Sequence, residues 1–151
     1  VILRPPLIYG PGAKGNLRAL FKLMRSVVPL PLAALDNRRS LLGLSNLVQA
    51  IELALQVPGL GGETFYLQDA TLSTPALLRA VAEALRRPAR LFPMPAVWLA
   101  GAARLAGQAD KFERLAGSLA ISSAKFTRLT GWQPAIPLAV ELERIAASPY
   151  L

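Results

Sequence analysis

The side chains able to do chemistry are few in kind. The chain has no histidine and no cysteine. That removes imidazole bases, thiolate nucleophiles, disulfides and the usual zinc ligands together. Any chemistry would come from Tyr, Lys, Arg, Ser, Thr or carboxylates. One stretch gathers several candidates: Arg4-Pro5-Pro6-Leu7-Ile8-Tyr9-Gly10-Pro11-Gly12-Ala13-Lys14-Gly15-Asn16. Two known devices nearly fit it. Gly10 to Gly15 matches G-x-G-x-x-G after a strand and before a helix, with acidic Asp36 about 20 residues on. Yet Pro11 removes a backbone N–H where amides should face a pyrophosphate. Asp36 falls in a turn after prolines, not at the end of a second parallel strand. The reading is a structural turn. Tyr9 and Lys14 are one residue too far apart to share a helix face as i and i+4, and a Pro/Gly turn lies between them. No other Tyr has Lys four residues later. No catalytic residue and no metal site is assigned.

Arginine is the remaining binding chemistry. A guanidinium is permanently charged, with donors in a fork that suits phosphate. Arg38 and Arg39 are adjacent in an expected strand, so at most one enters a pocket. The other is a solvated surface charge, and each singly can be read that way. Asn16 opens a helix and is explained as its N-cap. Trp132, after a helix-ending glycine, reads as a core plug rather than a stacking platform.

These residues need elements to hold them. Val1–Leu3 reads as a fully buried strand, apolar on both faces. Pro5 and Pro6 end its ladder. A helix follows over Leu17–Ser26, with Leu17, Leu20, Phe21 and Met24 on one face and Arg18, Lys22 and Arg25 on the other. Val28–Ala33 carries Pro29 and Pro31, which exclude a central strand. An edge strand or extended segment fits, with some backbone groups free for a ligand. Arg38–Leu44 is a strand. Ser45 or Asn46 caps a helix to about Gln56, with Leu47, Val48, Ile51 and Leu55 on its face. Residues 58–62 form a loop, and Thr64–Leu67 a strand. Thr74-Pro75 caps a helix to about Arg86 or Arg87. Arg90–Phe92 is a short extended piece. Pro95–Ala106 is an apolar helix, either core or an oligomer or interdomain face, and Asp110–Leu115 a shorter helix. Leu119–Ile121 is extended. Ser122 or Ser123 caps a helix ended by Gly131, and Leu138–Ala147 is amphipathic. The class is α/β, with few short strands and helices in excess.

Composition narrows the partners. The 151 residues are enough for one domain with its own core. Hydrophobic residues make up 53% and charged ones 17%. Such a chain either buries much of itself or keeps an apolar face for a partner. The 17 Lys and Arg against 9 Asp and Glu give +8. The basic residues are scattered and not interleaved with aromatics, so nucleic acid is not the expected partner. A small anion such as a nucleotide diphosphate is. The apolar run Leu91–Gly107 is broken by Pro93, Pro95 and Arg104, and falls short of the roughly 20 residues of a membrane span. The lack of cysteine fits a cytoplasmic protein.

Three segments in order carry a resemblance. Arg4-Pro5-Pro6-Leu7-Ile8-Tyr9-Gly10-Pro11-Gly12 resembles the R-P-x-x-x-Y-G-P-G segment of the extended short-chain dehydrogenases, the NAD-dependent nucleotide-sugar epimerases, dehydratases and reductases. Arg38-Arg39-Ser40-Leu41 through Asn46 to Ile51 is similar to their R-D/S-x-V-x-V-x-D-x-x-x-A segment. Gly117-Ser118-Leu119 through Ser122-Ser123-Ala124-Lys125 and Leu129-Thr130-Gly131-Trp132-Gln133-Pro134 resembles their D-x-S-K…L-G-W-x-P close. The set spans most of the chain.

The resemblance implies the carboxy-terminal part of a Rossmann-type enzyme, with residues 1–151 as its substrate-binding portion. A buried strand at residue 1 without Met agrees with an upstream dinucleotide-binding domain, which would hold the Gly-rich fingerprint and the Tyr-Lys dyad. The cofactor would be NAD or NADP, bound mainly by that domain. Pro5, Pro6 and Tyr9 would pass the nicotinamide, with Leu7 near the sugar. Asn16 would hold the nucleotide diphosphate, Leu30 and Leu32 would meet the base through the backbone, and Arg39 would bind the phosphates. Arg114, ahead of Gly117, would be a second phosphate contact. The partner would be a UDP- or dTDP-sugar, and a homodimer is open. Leu7 stands where many 4-epimerases carry Asn, and Ser40 where Asp is common; the first departure puts 4-epimerisation itself in question. Two other readings stand beside this one. A non-catalytic binding or assembly protein of the same fold would lack the fingerprint in its complete gene. A basic nucleic-acid binder would show salt-sensitive affinity for arbitrary DNA.

Overall fold

The computed structural model describes residues 1–12, 16–26 and 28–149. Within them the chain forms five short strands and seven helices. Strand β1 (Ile2–Arg4) pairs in parallel with β4 (Thr64–Tyr66), Ile2 opposite Thr64. Strand β2 (Leu7–Tyr9) pairs in parallel with β3 (Arg39–Gly43), Leu7 opposite Leu41. Strand β5 (Ala70–Leu72) closes the other edge of β3, antiparallel. Pro5 and Pro6 sit between β1 and β2, where their missing N–H groups cost no ladder bond. The chain thereby changes sheets within two residues.

Strand β3 divides the interior. Its alternate residues face opposite sides. Leu41 lies in one hydrophobic core with Tyr9, Leu17, Phe21, Met24, Leu78 and Leu142. Leu42 lies in a second, with Ala50, Phe65, Leu67, Phe126 and Trp132. The first core is walled by α1 (Asn16–Arg25), α3 (Thr74–Ala84) and α7 (Leu138–Ala146), with α1 packed on α3 and α3 on α7. The second lies between α2 (Leu44–Gln56), β4 and α6 (Ala124–Thr130). There Phe126 meets Phe65 and Trp132 edge-on at 5.2 and 5.8 Å. Trp132 is the core plug expected of it.

Several local expectations are met and others shift. The apolar face of α1 is buried as its spacing predicts, with Arg18, Lys22 and Arg25 outside. Gly131 closes α6 at φ 71°, the left-handed cap that glycine allows. Strands β2 and β5 are additions, too short to stand out beside their prolines and loops. Strand β1 is not fully buried: Val1 and Ile2 are half-exposed, because Leu3 alone turns toward the core. Ser45 and Asn46 do not cap α2. The helix starts earlier, at Leu44, and both side chains reach across it to other elements. The apolar face expected on α2 is also turned around. Asn46 and Ala50 point inward, leaving Val48, Ile51 and Leu55 exposed. Ser73, not Thr74, caps α3 by accepting from the Ala76 N–H. That helix ends at Ala84, short of Arg86. Helix α4 (Ala96–Leu105) has no buried residue, so it is not core. It packs on α5 (Ala109–Ala116).

Candidate functional site

The opening stretch and the Arg38–Arg39 strand meet at the β2–β3 pair. Two polar constellations lie along it, one closed and one partly open.

The closed one centres on Asp69. Its carboxylate accepts the Gly43 N–H at 2.7 Å, the Asn46 amide at 2.6 Å and the Tyr9 hydroxyl at 3.2 Å. Asn46 also grips the Ile136 backbone, accepting its N–H and donating to its C=O, both at 2.9 Å. Nearby, buried Glu141 accepts the Ser45 hydroxyl and the Arg144 guanidinium. A Cβ on Gly10 would stand 2.5 Å from the Leu44 Cβ, so the β2 exit needs glycine for close approach. Tyr9 is 1% exposed, and burial, then the Asp69 carboxylate, pushes its phenol well above the ordinary tyrosine value. A phenol so held stays protonated well into the alkaline range. The Tyr9 side chain, which the resemblance sets beside a cofactor, here has its hydroxyl bonded to Asp69. Lys14 lies outside the described residues.

The partly open constellation centres on Arg39. Its Nε donates to the Gly117 carbonyl at 3.0 Å and its Nη2 to the Arg114 carbonyl. These are orphan carbonyls at the end of α5, and a cation there satisfies them. Arg39 is partly buried rather than sealed, and of its guanidinium's five N–H donors two are used here, so others remain for an anion. Beneath it, buried Asn37 ties three elements. Its amide donates to Thr74 Oγ1 at 3.0 Å and to the Leu115 and Gly117 carbonyls at 3.2 and 3.1 Å. Its Oδ1 accepts the Thr74 N–H at 2.8 Å. Leu119 then runs beside β3, giving its carbonyl to Ser40 N–H and its N–H to the Arg38 carbonyl. Arg38 is exposed and Arg39 faces inward, as strand alternation requires.

The other expected site residues fall as follows. Leu7, Leu30 and Leu32 belong to the core that β2 and β3 cover. Leu30 was expected to keep backbone groups for a base. Instead its N–H donates to Arg90 C=O at 2.8 Å and its C=O accepts Phe92 N–H at 3.0 Å, because Leu91 pairs with it in a parallel bridge. The Leu32 carbonyl accepts the Leu35 N–H at 3.2 Å. Pro5 is exposed and Pro6 half-buried; lacking N–H groups, they can offer a cofactor apolar contact and a carbonyl acceptor but no backbone donor. Asn16 begins α1, and its side chain lies outside what is described. Arg114 is brought beside Arg39 through its carbonyl, and its side chain is exposed. Sequence reasoning missed Asn37, Asp69 and Glu141. The signal for Asp69 was a carboxylate closing the apolar strand Phe65-Tyr66-Leu67; nothing local marked the other two.

Against known proteins, the chain is 34% identical over 139 residues to a UDP-glucose 4-epimerase of Vibrio cholerae, covering 89% of this chain and 42% of that protein. Among solved structures, it superposes with TM-score 0.73 and 20% identity on a nucleoside-diphosphate-sugar epimerase of Pseudomonas aeruginosa, over 95% of this chain and 45% of that one. It superposes with TM-score 0.64 and 17% identity on the enzyme WbmG of Bordetella bronchiseptica, solved with NAD and UDP, over 96% and 41%. The chain thus spans less than half the length of these relatives. No protein-family model matches it. The α/β fold with helices in excess is that of the matched part of these solved structures, as the three sequence segments implied.

Proposed function

We propose that this chain is the substrate-binding portion of an NAD(P)-dependent nucleotide-sugar epimerase, dehydratase or reductase, and that Arg39 holds the diphosphate of a UDP- or dTDP-sugar. One observation carries the reading. The Arg39 guanidinium is anchored by two backbone carbonyls at the end of α5 and keeps donors and exposure for an anion. Anchoring removes side-chain freedom before a ligand arrives, which lowers the ordering cost of binding it. Arg114, exposed on the same helix end, is the second cation for the phosphates.

In such an enzyme the nicotinamide supplies hydride transfer to and from the sugar. The chain's own share is to bind and orient. Pro5 and Pro6 line the passage toward the nicotinamide and Leu7 the sugar, while the Leu30–Leu32 stretch borders the base by contact alone, since the Leu30 N–H and C=O are already bonded. The Tyr-Lys acid/base pair and the dinucleotide fingerprint belong to the length of the relatives that this chain does not span. The half-exposed face of β1 and the Val48–Ile51–Leu55 stripe of α2 are suited to cover by that length, or by a second copy in a homodimer. A cytoplasmic setting goes with this reading.

Calorimetry with UDP and with uridine tests it. UDP is expected to bind, and Arg39→Ala to weaken it at least about tenfold, as loss of a charge-assisted bond should. Uridine is expected to be insensitive to the change. UDP affinity unchanged in Arg39→Ala, with circular dichroism intact, would overturn the assignment. The chain alone is expected to turn over no UDP-sugar with NAD, and measured turnover would remove the division of labour proposed.

A further inference from the structure

One carbonyl joins Arg39 to a residue that nothing in the sequence marks. Gly117 C=O accepts the Arg39 Nε–H at 3.0 Å and the Asn37 amide at 3.1 Å. A carbonyl oxygen has two lone pairs, so it can take both. Asn37 stands two residues before Arg39 and is 3% exposed. Its amide can face only one way. Oδ1 accepts the Thr74 N–H at 2.8 Å, which turns the NH2 toward the Leu115 and Gly117 carbonyls at 3.2 and 3.1 Å. Turned over, the amide would set oxygen against two oxygens. Thr74, also buried, gives its hydroxyl to the Leu115 carbonyl at 2.8 Å. One buried amide thus ties the start of α3 to the end of α5. The apolar core does less for α5. It touches that helix only along Phe112, Leu115 and Ala116, all partly buried, and the neighbouring α4 has no buried residue. Apolar contact is non-directional, so directional bonds must set where the last carbonyls of α5 point.

We propose that Asn37 is a positioning residue of the anion site: by fixing the Gly117 carbonyl it sets the direction of the Arg39 guanidinium. It is buried and acts only through Arg39. The inference rests on the reading of Arg39 as the group that holds the diphosphate. Without the amide, the Gly117 carbonyl keeps Arg39 as its one side-chain donor, and the Leu115 carbonyl keeps the Thr74 hydroxyl. The end of α5 can then shift, and the guanidinium follows its carbonyls. An anion would have to order that side chain as it binds, which lowers affinity for the charged part of a ligand and spares the rest.

Calorimetry with UDP and with uridine, beside an NMR probe of Arg39 itself, tests it. The arginine Nε–H resonance missing from Arg39→Ala belongs to Arg39, and its bond to Gly117 should slow its exchange with water. Asn37→Leu removes the amide with little change of volume and no change of charge. It is expected to release that Nε–H to exchange and to weaken UDP about three- to tenfold, the ordering cost of one freed side chain. Uridine binding should stay as it is in the wild type. In the Arg39→Ala background, Asn37→Leu should weaken UDP no further, because the two residues act through one contact. If Asn37→Leu does not fold by circular dichroism, Thr74→Val takes its place. It loses the hydroxyl that meets Asn37 and Leu115, and should do the same in smaller measure, while Thr74→Ser should bind as the wild type does. An Nε–H still protected in the folded variant overturns the proposal. So does UDP affinity unchanged there while Arg39→Ala weakens it, or a loss that adds in full to that of Arg39→Ala, as general loosening would give. Failure of the underlying reading looks different: UDP binding would be absent or indifferent to Arg39→Ala itself, and the proposal would fall with it.

Discussion

The Asp69 and Arg39 constellations are both built on β3, one at its Gly43 end and one at its Arg39 end, and they use polar groups in opposite ways. Around Asp69 the acceptors meet donors from β2, β3 and α2, and Asn46 extends the set to the Ile136 backbone. Such a set joins elements and has little left for a ligand. Around Arg39 the charge is held by two carbonyls, with further N–H donors unused by them on a partly exposed residue. The lesson is that the polar residue nearest a recognisable motif need not be the one that binds. Tyr9 sits in the motif with its hydroxyl bonded to Asp69, while Arg39 comes from elsewhere in the chain and, on the reading proposed above, is the group that meets an anion.

Substitutions sharpen that contrast when stability and ligand affinity are read together. The largest stability loss is expected from Asn46→Ala, which strands the Ile136 groups and removes a donor from Asp69. A cost of about 3 kcal/mol in urea unfolding is expected, with UDP affinity of the folded fraction unchanged. Tyr9→Phe is expected to cost about 1 to 2 kcal/mol by the same measurement. It also carries a pH signature. Tyr9 keeps its proton in the folded state to a pH well above the ordinary value of 10.0. Above that value the unfolded chain releases its proton first, so wild-type stability falls as pH rises. Below it the two states are protonated alike and the group adds no pH dependence. Tyr9→Phe should flatten part of that alkaline fall; an identical slope would show that the phenol is not held as described. Arg39→Ala should invert the pattern, costing about 1 kcal/mol or less in stability while UDP binding weakens. Smallest of all, Trp98→Ser should leave unfolding within about 0.5 kcal/mol, since its side chain packs little. A larger loss would mean that α4 is covered by this chain after all.

Much of the fold was legible before any coordinates. The α/β alternation, the buried face of α1 from Leu17, Phe21 and Met24, and the glycine stop at Gly131 all follow from spacing and backbone chemistry. The misses have a common cause. Val48, Ile51 and Leu55 make the better apolar stripe, but the face turned inward is led by Asn46, whose polarity hid it and whose partners Asp69 and Ile136 lie far along the chain. Helix α4 poses the same problem in a stronger form, since it is apolar on every side.

The order of motifs, the basic charge without histidine or cysteine, and the location of Arg39 on a strand were determined by the sequence alone, because they depend only on residue type and near neighbours. Tertiary structure alone decided which groups remained available. It placed the Tyr9 hydroxyl on Asp69, 60 residues away, and set the Gly117 and Arg114 carbonyls against Arg39, 78 and 75 residues away. It also closed the backbone of Leu30 with Arg90 and Phe92. A polar group's function depends on what already satisfies it, and its partner is fixed by how distant segments pack.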